Sequence, residues 1–228
     1  MKSLPIIVII PALNEEESIG MVLDAIPREG GCAIIVVDGG SRDDTVRIAR
    51  DKGAIVLQGK TRGYGDACLA GIQYAASFRP GVVVFLDADY SDYPEEMSRL
   101  TAPILKGEAE FVLGSRLLGQ REEGAMPIHA VWGNRLACFL IKLLYGYRFT
   151  DLGPFRAIRF DKLKDLQMRD QDYGWTVEMQ VKAVKAGLKI LEIPVNYRKR
   201  VGVSKISGSL SGSVKAGLKI IFTIFRFF

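Results

Sequence analysis

The strongest constraint on this 228-residue chain is a repeated alternation. Short apolar, largely β-branched runs at residues 4–10, 33–37, 54–57 and 82–85 alternate with helical patterns at 14–26, 42–52, 65–78 and 94–106. The runs are continuously apolar, as in strands covered on both faces. Strands of that kind separated by helices form right-handed βαβ units. The fold class is therefore α/β, a mostly parallel sheet flanked by helices, and the length suits one sizeable domain. Asn14 is placed to cap the first helix, with Glu15, Glu16 and Glu17 in its first turn, where the macrodipole favours acids. Further on, residues 110–113 read as a strand ending in Gly114-Ser115-Arg116, and 119–126 as a polar loop. Residues 128–144 read as an apolar-rich helix, 155–160 as a strand and 175–186 as a helix. Residues 188–193 and 195–198 make a strand pair or one strand interrupted at Pro194, followed by a Gly/Ser loop over 201–212 and a final helix over 213–228. The heptapeptide VKAGLKI occurs at 184–190 and again at 214–220; the first copy predicts a helix end and a strand start, the second helix throughout.

The fourth run carries the chemistry. Residues 82–92 read VVVFLDADYSD, so two carboxylates, Asp87 and Asp89, stand where a buried strand stops. In open α/β sheets ligands bind at the carboxyl ends of strands. Alternate residues of an extended segment project the same way, so both acids are able to face one cation. Oxygen ligands on a loop suit a hard ion, Mg²⁺ or Mn²⁺, bridged to substrate phosphates. A strand-end turn with two solvated aspartates is the plainer alternative.

Three other strand ends supply polar, turn-forming residues to the same edge. Pro11, Asn14 and Glu15 follow the first; Asp38, able to accept from a ribose or a base N–H, ends the second; Lys60, Arg62 and Gly63 follow the third. Each has a purely structural explanation as cap, turn or solvated surface. Their convergence favours a nucleotide pocket.

Charge and composition narrow the partners. The net charge is +5, and from Lys182 onward ten Lys or Arg face one acid, Glu192. A basic section of that kind serves a phosphate-bearing ligand or an anionic membrane surface. No nucleic-acid module accompanies it, so nucleic acid is not an expected partner. Cys32, Cys68 and Cys138 form no C-x-x-C pattern and read as reduced core thiols of a cytosolic protein. The single histidine, His129, reads as a packed side chain, and nothing pairs with it to make a zinc site. The opening MKSLPIIVII is too short an apolar run for a signal peptide, and no run is long enough to cross a bilayer.

Taken in order, IPALNEEESI, VVDGGSRDDT, TRGYGDACLAGI, FLDADYSDYP and GSR resemble a family 2 glycosyltransferase of the GT-A, Rossmann-like fold. DLGPFRAI, WTVEMQVKA and RKRVGVSKISG narrow the resemblance to the dolichol-phosphate mannosyltransferase type and its bacterial polyprenyl-phosphate relatives. It implies a donor site in which Pro11, Leu13, Glu15, Val37 and Asp38 hold the nucleoside. Asp87, Ala88 and Asp89 then hold the metal and the sugar diphosphate, while Arg116, Arg200 and Lys205 close over the diphosphate and the acceptor phosphate. Lys60 joins the donor set as a cation able to reach phosphate. The position where such synthases commonly carry a third metal ligand, Gln, is Ser91 here. The resemblance further implies a 1–212 catalytic domain, a nucleotide-sugar donor such as GDP-mannose or UDP-glucose, and a polyprenyl phosphate acceptor.

A phosphate acceptor is already anionic, so transfer to it needs cation density more than a base. Asp89, Arg116 and Arg200 are the candidate catalytic residues, with Arg198-Lys199-Arg200 and Lys205 supplying charge. A hydroxyl acceptor would need a general base. Asp151 is the candidate for that base; otherwise it orients the basic residues. Glu178 reads as a buried hydrogen-bonding partner. The 213–228 helix pairs Lys215, Lys219 and Arg226 with apolar residues, which fits either an interfacial helix or one docked on the core. A lipid-phosphate acceptor favours peripheral attachment to the cytoplasmic face of a membrane. Transfer to a glycan or small-molecule hydroxyl is the alternative activity.

Overall fold

The computed structural model describes residues 6–28, 31–59, 63–202 and 210–228, with side chains of the last segment described from Lys215 onward. Lys60, Arg62 and Lys205 lie outside the described residues. The order is β1 (Ile6–Ala12), α1 (Ile19–Ala25), β2 (Ala33–Asp38), α2 (Thr45–Asp51), β3 (Ile55–Gln58), α3 (Tyr64–Ala75), β4 (Val82–Phe85) and α4 (Met97–Leu105). There follow β5 (Phe111–Ser115), α5 (Ile128–Tyr145), β6 (Arg156–Arg159), α6 (Phe160–Asp165), α7 (Trp175–Lys185), β7 (Ile190–Pro194) and α8 (Leu210–Arg226).

The strands form one sheet in the order β3-β2-β1-β4-β6-β5-β7. β6 runs antiparallel to both neighbours and every other pairing is parallel. Apolar contacts fill both faces. β1 and β4 side chains alternate between a cluster with Leu23 and Leu100 and one with Trp175 and Met179. Val82, Val83, Val84 and Phe85 are all fully buried. That explains the unbroken apolar run, since each such side chain contributes roughly 1.5–3 kcal/mol on burial. A third cluster joins α5, α7 and α8 through Ile141, Val181 and Ile224.

Local structure departs from the sequence reading in five places, the first being β7, a single strand that ends at Pro194, with no second strand over 195–198. α1 begins at Ile19, and Asn14 does not cap it. Asn14 takes a left-handed φ of 49°, which Asn tolerates, and turns across to the β2 loop. α6 was not anticipated. α8 starts at Leu210 rather than 213, and His129 is exposed. Cys68 and Cys138 are buried and Cys32 half-buried, all free, and burial pushes the Cys32 thiol to about 11 and the Cys138 thiol to about 12.

Candidate active site

The parallel strands β1, β2 and β4 release their chains at one sheet edge, and a cavity of about 340 Å³ opens there. Its first wall is a pair of loops bonded to each other. Asn14 N–H donates to Ser41 Oγ (2.8 Å), and Arg42 N–H donates to Asn14 Oδ1 (2.8 Å). Glu15 N–H donates to Thr45 Oγ1 (2.7 Å). The NEEE and SRDDT stretches are thus two halves of one hydrogen-bonded structure. Pro11, Leu13, Glu15 and Gly39 of these loops line the cavity. Asp38 does not. It is buried, and its carboxylate accepts from Gly40 and Ser41 N–H groups, holding the turn that presents Gly39. Val37 is a core residue packed against α3 beside Gly71.

Asp87, Ala88 and Asp89 form the floor. Asp87 is half-buried, and its Oδ1, itself shielded from solvent, has no hydrogen-bond partner of good geometry among the described residues. Burial first, and then the charge of Asp89, push its pKa from 3.8 to about 7. Asp89 Oδ1 accepts from Ser91 N–H (3.0 Å) and Ser91 Oγ–H (2.6 Å), while Oδ2 lies 3.3 Å from Arg200 Nη1. An orphaned carboxylate oxygen beside a second carboxylate is the donor set a hard divalent cation takes. Ser91 is buried and off the cavity wall, and its hydroxyl donates to Asp89 and orients that carboxylate. Among the described residues no group of three or more His, Cys, Asp or Glu side chains is arranged to hold a metal.

The cationic side is built by a clamp. Arg198 N–H donates to Ser91 O (2.9 Å) and Val201 N–H to Asp89 O (3.0 Å), laying the 198–201 segment along the aspartate loop. The Arg198 guanidinium stacks over Tyr90 (3.4 Å) and Tyr93 (4.0 Å) and donates to Tyr90 O and Asp92 O. Tyr90 holds φ 59°, a strained value for an aromatic residue. Of the Arg-Lys-Arg cluster only Arg200 lines the cavity, bridging Asp89 and Glu15 (3.1 Å).

Arg116 lies off the cavity wall, clasped by Asp151 through two 2.8 Å bonds from Nε and Nη2 and stacked over Tyr197 at 5.1 Å. Asp151 is wholly buried and also accepts the backbone N–H of Arg116 and of Leu152. A general base needs an open lone pair facing its substrate. Asp151 has none exposed, and its geometry suits the orienting role. Arg156, fully buried, donates to the carbonyls of Leu152, Gly153 and Thr176, and burial lowers its pKa to about 10.

The opposite wall is made by Gly63, Tyr64 and Ala67 at the start of α3 and by Asp172 and Tyr173 ahead of α7. Sequence reasoning missed Tyr64, Ala67, Asp172 and Tyr173. The one local signal is the turn-forming run before Trp175, whose ring packs edge-on to Phe85 (4.6 Å) and Tyr64 (6.1 Å) directly beneath the floor.

Over residues 7–167 the chain matches the profile of glycosyl transferase family 2. It belongs to that family. An uncharacterised glycosyltransferase of Mycobacterium tuberculosis is 36% identical over 214 residues, covering 92% of this chain and 93% of that protein. The undecaprenyl-phosphate mannosyltransferase of Micrococcus luteus is 30% identical over 222 residues, covering 91% and 89%. Among solved structures, glucosyl-3-phosphoglycerate synthase from M. tuberculosis in complex with Mn²⁺, UDP-glucose and phosphoglyceric acid aligns with a TM-score of 0.75 at 25% identity, covering 98% of this chain and 79% of that one. The chain is therefore a family 2 glycosyltransferase of the GT-A fold.

Proposed function

We propose that this glycosyltransferase is metal-dependent and moves a hexose, mannose or glucose, from a nucleoside diphosphate to a polyprenyl phosphate with inversion. The observation that carries the reading is the floor of the cavity, where Asp87 and Asp89 face Arg200 across the strand ends. Asp87 and Asp89 would hold Mg²⁺ or Mn²⁺, whose contribution is to neutralise the departing diphosphate. Pro11, Leu13, Glu15 and Gly39 would shape the nucleoside end. An acceptor phosphate oxygen attacks the anomeric carbon as the bond to the diphosphate breaks, so no proton has to be removed from the nucleophile. Arg200 is placed to leave Asp89 for the diphosphate, and Arg116, held by Asp151, adds fixed positive charge beside it.

A lipid acceptor is supported by the Micrococcus relative and by the surface. Ile128, Trp132, Leu136, Phe139 and Leu143 form an exposed stripe on α5, at 48–78% exposure, and Leu218, Phe222 and Phe225 form another on α8, at 53–64%. Neither helix carries an acid, while Arg135, Lys142, Lys215 and Arg226 are exposed on them. Apolar stripes among cations fit an anionic membrane surface. No helix of the described residues is long and apolar enough to cross a membrane; the proposed contact with the membrane is through α5 and α8.

The second reading is transfer to a hydroxyl of a small phosphorylated molecule, favoured by the likeness to the phosphoglycerate enzyme. Asp172, on the cavity wall, is then the carboxylate to test as base. The deciding experiment offers GDP-mannose and UDP-glucose with Mn²⁺, each with a polyprenyl phosphate in detergent or with phosphoglycerate. Sugar appearing in the lipid extract with one donor is the expected result; sugar only on phosphoglycerate moves the assignment to the second reading.

A further inference from the structure

We propose that α8 is a working part of the donor cavity: Lys219, through Asp170, positions the wall formed by Asp172 and Tyr173. The inference rests on reading this cavity as the nucleotide-sugar site.

The connection is short and continuous. Lys219 Nζ lies 2.9 Å from Asp170 Oδ2, and the Asp170 side chain is only 4% exposed. The other oxygen of that carboxylate, Oδ1, accepts the backbone N–H of Asp172 at 2.9 Å. One buried carboxylate therefore ties a helix that carries an exposed apolar stripe to the backbone of a cavity-lining residue. Its own backbone is fixed from behind. Asp170 N–H donates to Glu178 Oε2 (2.7 Å), and Glu178 is fully buried and paired with Lys182 (2.6 Å).

The loop has no slack on either side. Toward α3, Asp66 N–H donates to Gln171 O (2.9 Å), and a Cβ on Gly65 would stand 2.2 Å from Asp170 O. Toward α8, a Cβ on Gly174 would stand 2.4 Å from Thr223 Oγ1 and 2.6 Å from Asp170 Oδ2. Thr223 is itself buried and donates to Lys219 O (2.8 Å), which fixes the turn of α8 that carries the lysine. Residues 170–174 are thus pressed between the start of α3 and α8. Without the ammonium, Asp170 is a buried carboxylate lacking its cation, and it turns toward water and away from Asp172 N–H. Lys219 does not line the cavity, although its charge reaches the Asp172 carboxyl, so it is a positioning residue.

The test compares Lys219→Met with Lys219→Arg, measuring donor KM, acceptor KM and kcat, together with direct GDP and UDP binding in Mn²⁺. The expected result is a donor KM raised about tenfold in Lys219→Met, with kcat and acceptor KM held within about threefold, and recovery in Lys219→Arg. A Lys219→Met protein that folds and keeps the parental donor KM overturns the inference alone. So does a fall in kcat shared by both variants, which is the mark of general destabilisation. Should Lys219→Met fail to fold, Asp170→Asn, which keeps an acceptor for Asp172 N–H but loses the charge that holds Lys219, takes its place under the same criteria. A parental protein that binds neither GDP nor UDP overturns the donor-site reading itself and the inference with it.

Discussion

The two walls of the cavity are built by different means. The first follows directly from the sheet: Pro11–Glu15, Gly39 and Asp87–Asp89 stand within a few residues of where three parallel strands end. The second has no strand behind it. The start of α3 and the 170–173 loop hold each other through Asp66 N–H and Gln171 O, residues far apart in the chain, and α8 holds the loop from outside. A wall at strand ends is fixed by whatever fixes the sheet. A wall of packed loops depends on each of its tertiary contacts, so substitutions in it should alter affinity before they alter chemistry.

The largest effect should come from the first wall. Asp89→Asn removes the charge that faces Arg200 and, on the proposed reading, the divalent cation, and we expect turnover to fall about 10²–10³-fold. Chelation of divalent metal should cost at least as much, and Asp87→Asn about as much, with donor KM a secondary change. Steady-state kinetics on both variants, set beside Lys219→Met, separate a loss in kcat from a loss in donor KM. Full turnover in Asp89→Asn would break the distinction between the walls.

A smaller effect follows from pH. Asp87 is raised from 3.8 to about 7, chiefly by burial. Below the unfolded value both states carry the proton, and this group costs nothing. Between about 4 and about 7 the unfolded chain ionises while folded Asp87 stays protonated, so stability falls as pH rises, by up to roughly 4 kcal/mol above pH 7. Thermal melts in chelator should therefore show a drop from pH 5 to pH 8 that is shallower in Asp87→Asn. Mn²⁺ binding should show the opposite trend, strengthening toward pH 7 as the carboxylate loses its proton. Equal slopes in the two proteins would remove Asp87 from the account.

What the sequence disclosed tracks this division. Unbroken apolar runs located β1, β2 and β4, and with them Pro11, Glu15, Asp87 and Asp89, while Leu13 and Ala88 were implied by the family resemblance alone. The same logic misplaced side chains that only packing decides. Asp38 sits at a strand end as expected, yet its own turn takes up its carboxylate. Ser91, two residues beyond Asp89, donates its hydroxyl to that carboxylate, a contact that no sequence pattern shows. Arg198 and Arg200 are equivalent in sequence, but two tyrosine rings capture the first. The antiparallel direction of β6 and the Asp172–Tyr173 wall carry no periodic signal, since both are settled by contacts from distant elements.

The repeated heptapeptide turns that lesson into a measurement. In the first copy α7 ends at Lys185 and Gly187 takes φ +64°, with Gly187 N–H bonded to Val184 O and Leu188 N–H to Ala183 O, a Schellman cap. Glu110 N–H then donates to Lys189 O, which draws the chain into β7. In the second copy all seven residues lie inside α8, and a Cβ on Gly217 would meet nothing within 4 Å. Leu188 joins the core beside α7, whereas Leu218 is 64% exposed. One substitution should therefore have opposite signs at the two sites. Gly217→Ala fills an open helical position and should stabilise by about 1 kcal/mol, whereas Gly187→Ala forces a side chain into the left-handed region and should destabilise by about 1 kcal/mol. Denaturant unfolding of the two variants measures the difference directly. If both substitutions shift stability the same way, the heptapeptide is not being read by its surroundings, and α8 is not the settled helix that the second wall requires.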